Sequence, residues 1–419
     1  MIIDFGVSNH KAFGEKVELS FVADKRIRTL RCNTVETHNI ALLKAIGLYG
    51  SNNTGKTCFL QAINNLKMAL LGVQNIPFTP NFFTNDSVTK YSVTFLNLTS
   101  ASGIFHYEFA YDVTSHEYIY EKLERLVCAS SRNCARTTLF ERDKEKKVYS
   151  CDDKNAEPAI AYATFLAPLL YGMNIESSEK LSAWRKECQD FANSLDIIAG
   201  YNIPIDKTIS ILKGSDEKKK KLIVEFVKNA DLSLDSISYD EGYVPKDSSG
   251  TPINENILRN IGLNEQMRLF STYRGVKVPS LAFDSTGTKK IEAYASYIVD
   301  AIQQGKTLII DELEGSLHFT LTRSIVALFN NMGNTKAQLL FSTQDVALLD
   351  CPSLMRKEQI WFANRTKEKV EFYSLASFTA KNANVRKTSN FYSKYSKGSF
   401  KAIPNPDLIR SLMEMLKNE

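Results

Sequence analysis

Apolar residues along this chain follow two different periods, and the two periods alternate. Runs that are almost wholly apolar, at 42–49 and 307–310, are typical of strands buried on both faces of a parallel sheet. After the first run, apolar residues recur every three or four positions as far as Gly72, which predicts a helix that ends there. Buried strands that alternate with helices predict an α/β fold.

The same alternation returns late in the chain. A helix is predicted before the run at 307–310 by four apolar residues at helical spacing, namely Ile291, Tyr294, Ile298 and Ile302. A further helix is predicted after that run, and the segment "AQLLFSTQD" at 337–345 predicts another buried strand.

The middle of the chain has other patterns. From about residue 90 to 150 alternating residues predict strands, with the charged cluster of "TTLFERDKEKKVYS" at a hairpin tip. From about 174 to 270 the chain is polar and predicted to be helical. The lysine run in "SDEKKKKLIVEFVKN" is either a solvated helix face or a contact for nucleic acid.

Length and composition limit the protein class. A chain of 419 residues is long for one core, so we expect two domains or one domain with a large insertion. A hydrophobic share of 43% is that of a globular protein, and a net charge of +5 permits an acidic partner without requiring one. No membrane span or signal peptide is predicted, because the longest apolar stretch, at 159–173, is short and contains Pro168, and an acid stands at position 4.

Cysteine and histidine usage points to a cytoplasmic protein without zinc. The seven cysteines are scattered and form no CxxC pair, which predicts reduced thiols. The five histidines are dispersed and form no zinc motif.

The sequence "LYGSNNTGKT" contains the G-x-x-x-x-G-K-[ST] pattern of a phosphate-binding loop, between a predicted strand and a predicted helix. Backbone N–H groups would surround a phosphate, Lys56 would reach its β- and γ-oxygens, and the Thr57 hydroxyl would ligate Mg²⁺. The alternative is a glycine-rich turn that only starts a helix. The expected nucleotide contacts are Gly50, Ser51, Asn52, Asn53, Thr54, Gly55, Lys56, Thr57 and Cys58.

A pair of acids ends the strand predicted at 307–310. Asp311 would hold Mg²⁺ through water, and Glu312 would act as general base on the attacking water. Alternatively, the pair is a helix N-cap with a solvated neighbour. About 250 residues separate these acids from the phosphate loop, which predicts an insertion between two halves of one ATPase domain. ATP is favoured over GTP because no guanine-reading N-K-x-D motif follows.

Two further polar groups are candidates. Ser285, Gly287 and Thr288 form a turn at a predicted helix N-terminus, which is a second anion site. Because the first loop already holds its phosphates, we expect this turn to cap the γ-phosphate of a nucleotide bound to another subunit. The alternative is a simple N-cap by Ser285. Gln344 either contacts the γ-phosphate or the attacking water, or is a solvated strand-end residue.

In their order along the chain these motifs resemble those of ABC-type ATPases of the OLD/SMC kind. They resemble more closely a bacterial AAA ATPase family grouped with abortive-infection and phage-defence proteins. The resembling segments are "FGVSNHKAF" with Lys11 in place of the usual arginine, the Walker A segment "LYGSNNTGKT", the signature "DSTGTKK", the Walker B and D-loop segment "LIIDELEGSLH" with His318, the switch "FSTQDVALLD", and the C-terminal segments "LMRKEQIWFANR" and "YSKGSFKAIP". The resemblance covers about the first 75 and the last 150 residues.

The resemblance implies an ABC-type P-loop ATPase head with a β subdomain and an inserted helical lobe. The two halves of the head would be 1–150 and 271–419, and the lobe 151–270. The ligands would be ATP and Mg²⁺, with Lys11 as a nucleotide contact and His318 as a catalytic residue. Gln344 stands where the family has histidine. Because glutamine can hydrogen-bond but cannot carry a proton or a charge, this departure predicts a slow, switch-like ATPase.

Three functions compete. The resemblance implies a sensor or regulatory subunit of an anti-phage system, which forms an ATP-sandwich dimer or higher homo-oligomer. It would respond to a phage-derived trigger and act on a separately encoded effector, with a TOPRIM-related nuclease as the candidate.

The second function is a DNA-binding repair or recombination ATPase of the SMC-like type, which the lysine run and the basic, aromatic tail at 384–401 would suit. The rival reading of the tail, a docking segment, is favoured by the extent of the resemblance. A transporter subunit is third and fits poorly, because the signature is not LSGGQ-like.

Overall fold

The computed structural model describes residues 1–98, 103–130, 133–173, 178–199, 203–230, 233–247, 249–260, 262–351, 353–366, 369–378 and 390–402. Within these residues the strands are β1 (Ile2–Ser8), β2 (Val17–Ser20), β3 (Thr34–Thr37), β4 (Ile40–Leu43), β5 (Ala45–Tyr49), β6 (Val88–Leu96), β7 (Ile104–Asp112), β8 (Glu117–Ser130), β9 (Asn133–Asp143), β10 (Val148–Cys151), β11 (Leu195–Ala199), β12 (Ser236–Tyr239), β13 (Leu269–Tyr273), β14 (Val276–Pro279), β15 (Thr307–Asp311), β16 (Gln338–Thr343), β17 (Ile360–Arg365) and β18 (Val370–Ser374).

The helices are numbered in the same way. They are α1 (Lys56–Leu70), α2 (Glu157–Tyr162), α3 (Leu169–Gly172), α4 (Glu179–Asn193), α5 (Asp206–Lys213), α6 (Glu217–Ala230), α7 (Glu255–Asn260), α8 (Ser280–Phe283), α9 (Thr286–Gln304), α10 (Phe319–Asn330) and α11 (Phe391–Ser396).

A six-stranded sheet in the order β11-β15-β16-β5-β17-β18 carries the predicted motifs. All its pairs are parallel except β17 with β18. Every residue of β5, β15 and β16 is buried, which explains why the three segments are nearly continuous apolar runs. The chain therefore has the predicted α/β fold.

A second sheet, seven-stranded and antiparallel, has the order β10-β9-β8-β7-β6-β1-β2. The buried side chain of Gln338 in β16 joins it to the parallel sheet. Its Oε1 accepts from the Ile2 amide at 2.7 Å and its Nε2 donates to the Ile2 carbonyl at 2.9 Å. Helix α1 packs against β1 through an edge-to-face contact of Phe59 with Phe5.

The boundaries proposed for the helical lobe remain a prediction. Within 151–270 the structure has α2 to α7, but the prediction that 174–270 is helical is only partly right. That range also contains β11, which pairs with β15 in the central sheet, and β12, which pairs with β13. No helix in the described part of the chain is both long and apolar enough to cross a membrane.

The expectation that all seven cysteines are free thiols is wrong. Cys128 in β8 and Cys134 in β9 lie opposite each other in the antiparallel register and form a disulfide. The pairing depends on strand register, which brings together two residues that lack any recognisable cysteine motif.

The basic segments are less available than the sequence suggests. In the lysine run, Lys219 pairs with Asp300 and Lys220 with Glu217. In the tail, residues 384–389 lie outside the described residues, while the rings of Tyr395 and Phe400 stack on Phe362. These two rings are buried in the core, so the described part of the tail is docked on the ATPase body.

A buried acidic cluster supports the N-terminal end of α9. Glu292 accepts from the Ser280 hydroxyl at 2.6 Å, and Asp284 accepts from the Ser271 hydroxyl and, at 2.7 Å, from the Tyr273 hydroxyl. Glu292 Oε1 also lies 3.0 Å from the Ser271 hydroxyl oxygen. Burial raises the pKa of Glu292 to about 8, and the Asp284 carboxylate acts in the same direction, although the Ser280 hydrogen bond opposes the rise. The cluster therefore holds its proton at neutral pH.

Glu292→Gln should flatten the pH dependence of stability between about pH 5 and pH 8. A carboxyl whose pKa rises on folding binds more protons in the folded chain, so its presence lowers the free energy of unfolding as pH rises, by at most about 1.4 kcal/mol per pH unit. Urea titrations across this range measure the slope. The exposed Glu225 provides the control, because Glu225→Gln should keep the wild-type slope. A wild-type slope in Glu292→Gln would contradict the prediction.

Candidate functional site

The candidate site lies at one edge of the parallel sheet, where β5, β15 and β16 end. Thr343 is in register with Tyr49, and Phe341 is in register with Ile310. The residues that follow these strands therefore meet in space, although the chain separates them by up to 300 residues. This is the edge at which open α/β sheets bind ligands.

The phosphate loop connects β5 to α1, and its glycines are required by space and by backbone conformation. A β-carbon at Gly50 would lie 2.5 Å from the Ala363 carbonyl oxygen. Gly55 has φ +89°, in the left-handed region, and a β-carbon there would lie 2.9 Å from the Phe13 ring. The Thr54 hydroxyl donates to the Ser51 carbonyl at 2.8 Å, which closes the loop on itself.

Lys56 begins α1 and is buried at 6% exposure. Its ammonium donates to the carbonyls of Gly50 at 2.7 Å and Ser51 at 2.8 Å. Burial lowers the pKa of Lys56, and the nearby carboxylates of Asp311 and Glu312 oppose that shift. A cation fixed inside a loop at a helix N-terminus is a built site for an anion.

Thr57 and Asp311 come together as predicted from the sequence motifs. The Thr57 hydroxyl donates to Asp311 Oδ2 at 2.7 Å, and the Ser342 hydroxyl donates to Oδ1 of the same carboxylate. A hydroxyl beside a carboxylate suits a hard cation such as Mg²⁺, which prefers oxygen ligands. The described residues contain no group of three or more His, Cys, Asp or Glu side chains that could hold a metal. Because one is a hydroxyl and the other a carboxylate, Thr57 and Asp311 fit Mg²⁺ that is shared with a phosphate, which is the usual arrangement for this ion.

Glu312 and Gln344 are also brought together. Glu312 is exposed, has φ +52°, and its amide donates to the Ser342 hydroxyl at 2.8 Å. Its carboxylate accepts from Gln344 Nε2 at 3.1 Å, while the Gln344 amide donates to Glu314 Oε1 at 2.6 Å. Gln344 is exposed and directly follows β16, so both interpretations of this residue stay open.

Ser285, Gly287 and Thr288 form the signature turn, which lies at the N-terminal end of α9. Ser285 caps α9 by accepting from the Thr288 amide at 3.1 Å. A cavity of about 380 Å³ is lined by Ser285, Gly287, Thr288, Ser316 and His318 among others. Among the described residues its walls include none from the loop at 50–58.

His318 and Lys11 make contacts outside the carboxylate cluster. His318 caps α10, and its Nδ1 lies 2.7 Å from the Thr320 hydroxyl. The Lys11 ammonium donates to Gln61 of α1 at 2.6 Å. Cys58 is a free, partly exposed thiol in the first turn of α1. Catalytic and binding roles for these three residues remain predictions.

Several contacts were missed by the sequence reasoning. The Ser342 hydroxyl donates to Asp311, and Glu314 accepts from the Gln344 amide. Arg365 donates to the Asn53 carbonyl at 3.2 Å. Glu314 could have been found, since it stands three residues after Asp311 in the motif segment. Ser342 and Arg365 gave no signal, because only the sheet register brings them to the loop.

Comparison with known proteins supports an ATPase-type domain. The family described as "AAA domain, putative AbiEii toxin, Type IV TA system" matches residues 196–350. That range contains the signature turn, the acid pair and Gln344, but not the phosphate loop. No curated protein matches the chain.

Among solved structures, the chain is similar to three SMC heads at low identity. The SMC head domain from Thermotoga maritima is 9% identical with a TM-score of 0.41, over 89% of this chain and 98% of that one. An SMC head bound to the C-terminal winged-helix domain of ScpA is 10% identical with a TM-score of 0.44, over 89% and 97%. The Pyrococcus furiosus SMC head with an extended coiled coil, bound to the C-terminal domain of ScpA, is 13% identical with a TM-score of 0.41, over 89% and 96%.

Proposed function

We propose that this protein is a nucleotide-dependent switch that binds ATP with Mg²⁺, hydrolyses it slowly, and controls a separately encoded effector in anti-phage defence. The observation that carries the ATPase assignment is the contact between Thr57 and Asp311. These residues are 254 positions apart, yet a hydroxyl of the phosphate loop and a strand-end carboxylate are hydrogen-bonded beside the buried Lys56.

Each residue of this cluster has a defined task in the proposed reaction. Lys56 exchanges its two carbonyl partners for phosphate oxygens. These oxygens carry a full negative charge, so they stabilise a buried ammonium better than neutral carbonyls do. Mg²⁺ neutralises charge on the β- and γ-phosphates when bound. Thr57 and Asp311 would hold that ion, and Ser342 fixes the orientation of the Asp311 carboxylate.

Glu312 is the proposed general base. Its carboxylate is exposed at the sheet edge and is held by the Gln344 side chain, which donates a hydrogen bond but cannot take a proton. A water bound next to both groups would lose its proton to Glu312 only. This division of roles favours slow turnover, which suits a protein whose ATP-bound form is the signal.

The proposed partner of the signature turn is the nucleotide of a second copy. No described residue of the loop at 50–58 lines the cavity at the turn, which suits two separate anion sites on one chain. A head-to-tail dimer places each nucleotide between the loop of one chain and the turn of the other.

The defence role is supported by the family description, which names a toxin–antitoxin system, and by the motif resemblance. The second candidate is a DNA-binding ATPase of the SMC-like type, favoured by Lys218 and Lys221, which are exposed on α6. DNA affinity that falls steeply with salt would support it.

Lys56→Met should weaken ATP binding about 10- to 150-fold, because the phosphates lose a charge-assisted donor worth about 1.5–3 kcal/mol. Isothermal titration calorimetry measures the affinity. Lys67→Met is the matched control on the same helix, since Lys67 donates to the Leu195 carbonyl at 2.6 Å. It should bind ATP as the wild type does. Equal affinities for all three proteins would contradict the assignment of the loop.

Lys56→Met and Thr286→Glu should each abolish ATP turnover and should complement each other in a mixed dimer. Thr286 is exposed at the first position of α9, where an acid is tolerated by the helix but repels phosphate. One of the two sites in a mixed dimer is intact, so recovery should reach at most about half of the wild-type rate. Thr286→Gln is the control, because glutamine has nearly the size of glutamate but no charge, and this variant should stay active. Co-purified mixed dimers without activity would oppose a shared site.

Cells that carry this gene and its neighbouring gene should resist a phage that either gene alone does not stop, because signal and effector are separate chains. Plating efficiency measures protection, and Lys56→Met in the pair should abolish it. Protection by this gene alone would contradict the separate effector, whereas loss of DNA repair on deletion would favour the second candidate.

A further inference from the structure

Lys290 is on α9, the helix that begins at the signature turn, and it contacts the turn at 312–316 that follows β15 in the same chain. This turn is called the Walker B turn below. Lys290 is buried at 7% exposure, and its ammonium donates to the Gly315 carbonyl at 2.7 Å and approaches the Glu312 carbonyl at 3.4 Å. A β-carbon at Gly315 would lie 2.8 Å from this ammonium. A side chain at position 315 would therefore require the Lys290 ammonium to shift.

The turn that Lys290 reaches has an unusual backbone. Glu312 has φ +52° and Ser316 has φ +61°, and neither is glycine. Left-handed backbone conformations are unfavourable for residues other than glycine, and they persist only when neighbouring groups enforce them. The Lys290 ammonium stabilises the turn by contacting two of its carbonyls, those of Glu312 and Gly315.

The turn also touches both the signature and the switch. A β-carbon at Gly287 would lie 3.0 Å from the Ser316 carbonyl oxygen, so the signature turn packs on the end of the Walker B turn. Glu314, inside the turn, accepts from the Gln344 amide at 2.6 Å. Residues 312–316 therefore connect the signature turn with both groups that are proposed to handle the attacking water, Glu312 and Gln344.

The electrostatic setting of Lys290 argues against a simple space-filling role. Burial lowers the pKa of Lys290, while the carboxylates of Glu314 and Glu312 raise it. The ammonium also lies 5.5 Å from the centre of the Tyr294 ring. A buried cation is expensive where an apolar side chain would pack as well, so its contacts with the turn account for a lysine at this position.

We propose that Lys290 is a positioning residue that couples occupancy of the signature turn to the placement of Glu312 in the same chain. This inference rests on the proposed function, because it takes the Ser285–Thr288 turn to receive a nucleotide from a second copy. In a head-to-tail dimer Glu312 serves the nucleotide on its own loop, whereas the signature turn senses the nucleotide on the partner's loop. Lys290 thus makes the two sites of the dimer cooperative.

The test compares Lys290→Met with Lys289→Met. Lys289 is the adjacent lysine on the same helix, but it donates to the Leu281 carbonyl at 2.7 Å, away from the Walker B turn. Lys290→Met should bind ATP with wild-type affinity, lower kcat by about 3- to 30-fold, and bring the Hill coefficient for ATP towards one. Lys289→Met should match the wild type in all three measurements.

A second variant reaches the same contact from the other side. Gly315→Ala keeps the lysine but places a methyl group against its ammonium, so it should reproduce the loss of kcat and of cooperativity. If both changes break one contact, the double variant should be no slower than the slower single variant.

Three outcomes would overturn the inference. They are a wild-type kcat and Hill coefficient in Lys290→Met, effects of the two variants that multiply, and a loss of ATP affinity equal to the loss of kcat. A wild-type protein that binds or hydrolyses no ATP would instead overturn the proposed function. The two failures are therefore distinguishable.

Discussion

The parallel register of β5, β16 and β15 is the constraint on which the whole candidate site depends. Ladder hydrogen bonds fix which residues end each strand at the common edge, and these residues are the ones to which the proposed function assigns chemistry. A slip of one residue in β15 would turn Asp311 to the other face of the sheet and remove it from Thr57. Full burial of the three strands makes such a slip costly, because it would also disturb the packing on both faces.

Around this edge, backbone and side-chain groups hold the polar side chains of the candidate site in place. Asp311 is oriented by two hydroxyls, Lys56 by two carbonyls and Gln344 by a carboxylate on its amide. Such preorganised partners reduce the reorganisation that a ligand must drive when it binds. The acidic cluster around Glu292 has a similar effect, because it anchors α9, which begins at the signature turn.

The elements nearest in sequence to a motif were the most predictable. The strand, loop and helix from 45 to 70 follow from apolar periodicity and glycine spacing, and so does the acid pair after β15. Contacts that depend on register were not predictable in this way, as with Ser342, Arg365 and the Cys128–Cys134 pair. The lysine run shows the same limit, because Asp300 meets Lys219 only after α6 has packed near α9.

The separation of Thr57 from Asp311 also determines when the site can exist during synthesis. Domains fold largely in the order in which the ribosome releases them, and contacts between distant residues form late. The phosphate loop emerges 254 residues before its carboxylate partner, and β5 emerges before both of its parallel neighbours in the sheet. A nascent chain therefore carries an anion loop without the group that completes it. The Thr57–Asp311 hydrogen bond can therefore form only after the late strands have been made and have docked.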